Sequence, residues 1–388
     1  PCGIVRYMRR LALPLGLLTL VLFEAAAVWF VMPLPGSQRV RSVEIAFTLH
    51  SFRWPIRALC LVLLAWGIPA APRTGWRRWA LTGLALATIG ITYATNFVMA
   101  ADRIFQQPES VTMVAAAATE VAPDRLVVGV VVNGEARAYP LQFIGYHHFL
   151  TDTIALRPVL VTYCTVCRTG RVFDPVLDGA VERFRLVGMD EFNAMLEDQT
   201  TGSWWRQANG EALVGPRRGT VLPEIPSVQV TLRQWIALHP DTRVMRGDPR
   251  FTAEYDKDYA FERGTSRRTL TGTDPRSWER KSWVVGVSLG GADRAYDWNA
   301  LLAAGAINDT LAGRPIVLVV AADSASFFAF ERPSADSRFQ RDGDSLRSGP
   351  AAYGFSGHGS ADSLRPISAS QEFWHSWQSF HPRTTRFP

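Results

Sequence analysis

The chain has 388 residues, with 41 basic against 35 acidic side chains, a formal charge of +6, and 47% of its positions hydrophobic. That length exceeds one ordinary domain and allows a sizeable core, so two or three units are expected. The charge excludes a nucleic-acid reader: residues 1–103 hold eleven arginines against three acids, leaving 30 basic and 32 acidic residues elsewhere, and basic residues flanking apolar runs mark membrane orientation rather than a phosphate-tracking surface.

Three apolar stretches come first, "LALPLGLLTLVLFEAAAVWFVM" (11–32), "WPIRALCLVLLAWGIPAAP" (54–72) and "WALTGLALATIGITYATNFVMA" (79–100). The first and third are long enough to span a bilayer and the second is marginal, so 1–101 reads as a membrane region of two or three spans. Arg6, Arg9, Arg10, Arg73, Arg77 and Arg78 lie on one side, against Arg39, Arg41, Arg53 and Arg57 on the other. This bias predicts a cytoplasmic N-terminus in a cell inner membrane and an exported, periplasmic body; an interfacial second stretch would reverse it. Glu24 is an intramembrane acid, and pairing with Arg53 or Arg57 is the plainer reading beside a functional one. The sequence begins at Pro1 rather than Met, so an earlier start is expected and any signal before "PCGIVRYMRR" is unread.

From about Asp102 short β-rich runs alternate with Gly, Pro and Asn. "VVGVVVNGEARAYPLQFIGYHHFLTDTIALRPVLVTYC" (127–164) aligns without a gap to "VVGVSLGGADRAYDWNALLAAGAINDTLAGRPIVLVVA" (284–321) at an offset of 157, matching Gly129 to Gly286, Arg137 to Arg294, Tyr139 to Tyr296 and Asp152 to Asp309. "WIALHPDT" and "WQSFHPRT" close the two copies. The organisation expected is a first repeat over 102–245, a connector over 246–282 and a degenerate second repeat over 283–388, whose Ser-, Gly- and Asp-rich 333–366 reads as loop. Each copy reads as strand, turn, strand, short helix ("LQFIG" or "WNALLAAG") and hairpin, with a tryptophan helix stopped by Pro240 or Pro382. The fold class is α+β, mainly antiparallel β, in two degenerate tandem repeats.

Features common to both copies serve the fold, which assigns His239 (repeated as His381) and Asp174 (matched by Glu331) to structure. Cys164, Cys167, His147 and His148 behave oppositely, becoming Ala321, Ser324, Ala304 and Gly305. A two-residue turn at Ala155-Leu156 makes partner numbers sum to 311, which sets His147 opposite Cys164 as a non-hydrogen-bonded pair, although Ala-Leu is poor for a type I′ turn. Three readings stay open. Cys164, Cys167 and His147, with His148 or water fourth, would suit zinc or copper. Thiol-disulfide chemistry would use the same Cys-x-x-Cys, although "RTGRVFD" continues as a strand where a redox motif normally opens a helix. A disulfide staple with a separate binding module is the third, its pocket formed by Ser203, Trp205 and Arg206 of "TTGSWWRQ" with Tyr163; adjacent Trp204 and Trp205 point to opposite strand faces, one of them into the core. Cys60 reads as a packed thiol, and protein or small-molecule partners other than the membrane are not legible.

"NGEARAYPLQFIGYHHFLTDT", "VTYCTVCRTGRVFD", "TTGSWWRQANGEALVGP" and "WIALHPDT" resemble the uncharacterised prokaryotic family catalogued as domain of unknown function 3179, DUF3179. The family shows His-Glu where this chain has His147-His148, and Cys-Pro-x-Cys-Gly where it has Cys164-Thr165-Val166-Cys167-Arg168. The resemblance carries His147, Cys164 and Cys167 onto this chain, implies an exported or membrane-attached body, and supplies no activity. Whether the chain is an enzyme stays open.

Overall fold

A computed structural model describes residues 2–40, 42–255, 259–360 and 362–388, and they form an α+β body with mostly antiparallel sheets preceded by a helical region. Two compact units are present. The first comprises 1–106, 184–206 and 212–220, and the second 107–183, 207–211 and 221–388. The boundaries differ from those of the expected repeats, because the middle of the first repeat groups with the N-terminal helices.

In the first unit, helices α1 (Cys2–Trp29), α2 (Val43–Ser51), α3 (Arg53–Gly67) and α4 (Trp76–Tyr93) follow one another. Gly3–Trp29, Arg53–Ala70 and Trp76–Val98 are long and apolar enough to cross a membrane. Even the 18-residue segment rises about 27 Å at ~1.5 Å per residue, close to the hydrocarbon thickness. Leu22, Leu59, Val62, Leu86 and Ile89 point outward, as lipid-facing side chains do. Glu24 is buried between these helices. Its carboxylate accepts from Arg57 Nε at 2.7 Å and Nη2 at 3.0 Å, and from Asn96 Nδ2 at 2.8 Å, which makes Arg57, not Arg53, its ion-pair partner.

Four antiparallel strands complete that unit: Phe184–Asp190, Asn193–Asp198, Trp204–Arg206 and Ala212–Val214. Met189 N–H donates to the Val31 carbonyl at 2.8 Å, and the Trp204 ring meets Phe47 edge-on at 5.3 Å. Backbone bonding and aromatic packing thus tie 184–206 to the helices.

The second unit runs through β1 (Thr112–Ala115), β2 (Leu126–Val132), β3 (Glu135–Pro140), α5 (Leu141–His147), β4 (Phe149–Ile154), β5 (Arg157–Cys164) and β6 (Thr169–Phe173). Next come β7 (Ser227–Thr231), α6 (Leu232–Leu238) and β8 (Arg243–Arg246). The same order returns as β9 (Trp283–Leu289), β10 (Ala292–Asp297), α7 (Trp298–Ala304), β11 (Ala306–Leu311), β12 (Arg314–Val320), β13 (Phe327–Glu331), β14 (Ala369–Phe373), α8 (Trp374–Phe380) and β15 (Thr385–Arg386). From β2 to the start of β5 every first residue recurs 157 positions later. The sheet order β1-β8-β3-β2-β7 has its counterpart in β15-β10-β9-β14, each with one parallel pair, and β4-β5-β6 in β11-β12-β13.

Side chains repeat with the elements. Tyr139 and Tyr296 each donate to an aspartate, Asp152 or Asp309, at 2.7 Å. Trp235 and Trp377 each donate to a threonine, Thr242 or Thr384, at 2.8 Å. A Cβ on Gly129 or Gly286 would overlap the Trp235 or Trp377 indole, which is why both strands carry glycine there. His239 and His381 end their helices with rings against those indoles, at 4.2 and 3.6 Å between centroids. Val127, Val161 and Trp235 share one hydrophobic cluster with Val317, Phe328 and Phe330, so the two halves have a common core.

One segment departs from expectation. The stretch 333–366 contains a three-stranded sheet, Gln340–Asp342, Ser345–Ser348 and Ala351–Gly354, turned at Gly343 and Gly349 with Leu346 and Tyr353 buried. The hairpin β4–β5 keeps the register that sums to 311, from Phe149 with Thr162 to Ile154 with Arg157, despite its turn sequence. Ala155 and Leu156 adopt φ of 45° and 67°, where the twin has Ala312 and Gly313 at 49° and 77°. A left-handed residue with a side chain costs roughly 1–2 kcal/mol, and Leu156 is 95% exposed, so it gains no packing in return. Leu156→Gly is expected to raise stability by about 1 kcal/mol, read as a higher thermal midpoint of the full chain. A lower midpoint would contradict this account of the turn.

Candidate functional site

Strand β5 ends at Cys164, a turn covers Thr165 to Arg168, and β6 begins at Thr169, paired with Cys164. Arg168 has φ of 60°, the backbone conformation that a glycine adopts freely and other residues adopt at a cost. Its buried guanidinium offsets that cost. Nε donates to Gln371 Oε1 at 3.0 Å, Nη1 and Nη2 donate to the Phe261 and Glu262 carbonyls at 2.9 Å, and the group lies 3.6 Å from the Trp283 ring centre. The Arg in place of the family's Gly therefore leaves the turn tight.

Both thiols are fully buried, and no disulfide joins them. The Cys167 carbonyl accepts from Phe373 N–H at 2.9 Å. Beside them lies Lys281, whose Nζ donates to the carbonyls of Val166 at 2.7 Å and Leu270 at 2.5 Å and lies 4.3 Å from the Phe373 ring centre. Burial brings the Lys281 ammonium down to about 8, against the opposing pull of Cys167 and then Cys164. The ammonium and both thiols therefore share one electrostatic neighbourhood.

The second half of the unit supplies the walls. Gln371 and Phe373 come from β14, and His375 and Ser376 from α8. Ser376 Oγ lies 3.4 Å from Thr169 Oγ1 and donates to Glu372 Oε2 at 2.9 Å, while Glu372 pairs with Arg171 at 3.0 Å. His375 is held down to about 3 by burial first and then by Lys281 and Arg280.

The histidines are placed differently from expectation. Helix α5 continues to His147, so the strand opens only at Phe149 and the expected ladder pair of His147 with Cys164 does not form. His147 Nε2 is 2.8 Å from Tyr255 Oη, and its ring meets Phe251 at 5.3 Å. His148 ends the helix in the left-handed conformation, with φ of 64°, where the twin has Gly305 at 72°. Its N–H donates to the Ile144 carbonyl at 2.8 Å and its carbonyl accepts from Tyr163 N–H at 2.8 Å, so the cap consumes the residue that the register would have used in the strand. Burial lowers His148 to about 4. Among the described residues, no three His, Cys, Asp or Glu side chains are grouped to hold a metal ion.

The four residues read as a pocket fall in different units. Tyr163 is in the second, its hydroxyl buried without a hydrogen-bond partner among the described residues and its ionisation pushed up by burial. Ser203, Trp205 and Arg206 are in the first. Ser203 Oγ accepts from Arg217 N–H at 3.0 Å, Trp205 Nε1 donates to Asp198 at 2.8 Å, and Arg206 pairs with Asp190 at 2.8 Å. Trp204 is as buried as Trp205 and donates to Glu197 at 2.7 Å, so both indoles are core, each with its own carboxylate.

Sequence reasoning missed Lys281 and His375. A signal for Lys281 existed: it and Lys257 are the only lysines among 41 basic residues. Arginine cannot lose its proton at accessible pH, whereas a buried lysine can, so a lysine in an arginine-rich chain points to a place where that difference matters. His375 has no comparable signal, since only the fold brings "FWHSWQ" to the knuckle.

The chain belongs to the family described as "Protein of unknown function (DUF3179)", which matches residues 104–384. No curated protein and no solved structure matches it.

His148 and His375 are both held below their ordinary value, so as pH falls the unfolded chain takes up protons first. The stability they contribute is complete above about pH 6.5 and is lost as pH falls toward 4 and then 3. The thermal midpoint of the full chain is expected to drop through this window, by the equivalent of a few kcal/mol, and His375→Gln should flatten the drop. A midpoint constant from pH 7 to 4 would contradict the assignment.

Proposed function

We propose that this DUF3179 member is a membrane-anchored protein whose exported body works through a two-thiol centre, Cys164 and Cys167, cycling between dithiol and disulfide. The observation that carries the reading is Lys281, a half-buried cation in the electrostatic field of both thiols. A cation lowers the cost of the attacking thiolate, the task that a helix N-terminus performs in other Cys-x-x-Cys sites. The continuing strand β6 supplies no such terminus, and Lys281 takes that part.

The step is thiol-disulfide exchange. One thiolate attacks a sulfur of a substrate disulfide, forming a mixed disulfide and releasing one substrate thiolate; the second cysteine, giving up its proton, then displaces the other substrate thiolate and closes the Cys164–Cys167 bond. Two electrons pass to the substrate, and the released thiolates take up the protons. Cysteines three positions apart across a tight turn have Cα atoms less than about 7 Å apart, a bound that overlaps the separation of about 4.4–6.8 Å that a disulfide needs. Because both thiols are buried, the fitting co-reactant is a low-molecular-weight disulfide rather than a folded protein. The six-to-four arginine bias supports a periplasmic position for this body, a compartment where disulfides form.

A bound soft metal is the second reading, favoured by the same thiol pair. Two thiolates suffice for copper(I), while zinc needs further ligands that the described residues do not group around them.

One experiment separates these. The full chain, purified anaerobically in detergent, is assayed for metal and then equilibrated in glutathione buffers, with thiols counted by alkylation and mass spectrometry. The expected result is no stoichiometric metal and a joint loss of two thiols in one two-electron step, at a midpoint of roughly −150 to −300 mV, which Cys164→Ser abolishes. About one copper or zinc ion per chain, released by the same substitution, would replace this reading with the metal one. Thiols that neither oxidise nor hold metal would overturn both.

A further inference from the structure

The first unit contains a second feature that the thiol centre does not use. A cleft of about 720 Å³ is lined by the ends of the three apolar helices, by α2 and by the sheet 184–206. Its volume lies within the range of about 300–1,000 Å³ typical of small-molecule sites. Its walls divide chemically. Phe23, Val28, Trp54 and Phe97 form the apolar part, and four arginines, Arg53, Arg57, Arg103 and Arg185, line the rest against the carboxylates of Glu24, Asp102 and Glu197.

Two of those arginines are committed. Arg57 is held by Glu24, and Arg185 by Glu197 at 2.8 Å and Asp102 at 3.5 Å. The other two are not. Arg53 donates to the His50 carbonyl and feels Glu197 only through its longer-range field, and neither Arg53 nor Arg103 has a carboxylate within ion-pair distance among the described residues. Arg53 is also the first residue of one apolar helix, and Arg103 follows the end of another, Val98, by five positions. Both guanidiniums therefore lie at the level where lipid headgroups meet water, next to Trp54, a residue type enriched there.

From this juxtaposition we infer that the cavity binds an anionic phospholipid, its phosphate on Arg53 and Arg103 and its acyl chains along the apolar wall. Guanidinium forks match phosphate oxygens in geometry and charge. With four arginines against three carboxylates, the lining carries one net positive charge, which suits a headgroup of net charge −1 better than a zwitterion. A soluble phosphate ester shares the phosphate chemistry, but the apolar wall gives no purchase to one.

The test uses the full chain in detergent and native mass spectrometry. Phosphatidylglycerol, phosphatidylcholine of the same acyl chains and soluble glycerol phosphate are offered in turn. Phosphatidylglycerol should be retained preferentially and glycerol phosphate not at all. Arg103→Gln and Arg53→Gln should each weaken retention by roughly tenfold, the worth of a charge-assisted hydrogen bond. Arg10→Gln, outside the cavity lining, should leave it unchanged. Arg103 is exposed, so its variant is the decisive one if Arg53→Gln does not fold. Equal retention of the two lipids, equal loss in Arg10→Gln, or undiminished retention in Arg103→Gln would overturn the inference. Retention of glycerol phosphate as strong as that of the lipid would instead assign a soluble phosphate ester and overturn the lipid.

Discussion

A lysine drawn partly out of water must have its charge met where it lies, and at Lys281 the chain meets it with two backbone carbonyls, an aromatic face and the field of two thiols. Each carbonyl comes from a segment that must be held still: Val166 from the turn between the cysteines, Leu270 from the polar stretch that joins the two halves. The ammonium therefore ties the connector to the knuckle. Arg168 makes the same tie from the opposite direction, reaching from the turn to the Phe261 and Glu262 carbonyls of the connector and to Gln371 of β14. Losing either cation would remove donors from these carbonyls, at about 1–3 kcal/mol for each one left buried and unpaired.

This arrangement gives the cysteine-free half a part in the site. Its hairpin β11–β12 repeats β4–β5 without a thiol, yet its β14 and α8 carry Gln371, Phe373, His375 and Ser376 to the knuckle of the first half. The polar chain from Thr169 through Ser376 and Glu372 to Arg171 fixes β6 against α8. The cysteines thus stand in one copy only, while residues of both halves surround them.

Much of this was legible beforehand. The α+β class, the helical membrane region and the hairpin register followed from hydrophobic periodicity and from comparing the chain with itself, because these depend on local pattern and on residues 157 positions apart. The His147–Cys164 pair failed for a local reason: a left-handed cap at His148 ends a helix that the pattern "LQFIG" had made two residues too short. Leu156 shows the converse, a residue poor for its turn that register and packing nevertheless hold at positive φ. His375 was out of reach because its role is set by the fold, more than two hundred positions from Cys164, whereas Lys281 stood out in composition but its place beside the thiols did not. The tryptophans were misjudged by alternation alone, since Trp204 and Trp205 do face opposite ways but both faces of that strand are covered.

The central claim is that Lys281 stabilises a thiolate at the Cys164–Cys167 pair. Its most direct test is the titration of thiolate ultraviolet absorbance in the reduced full chain, with Lys281→Met beside wild type and Cys164→Ser/Cys167→Ser as the blank. Wild type should show a thiolate appearing at lower pH than in Lys281→Met, with the signal absent from the blank. Identical midpoints in wild type and Lys281→Met would contradict the account.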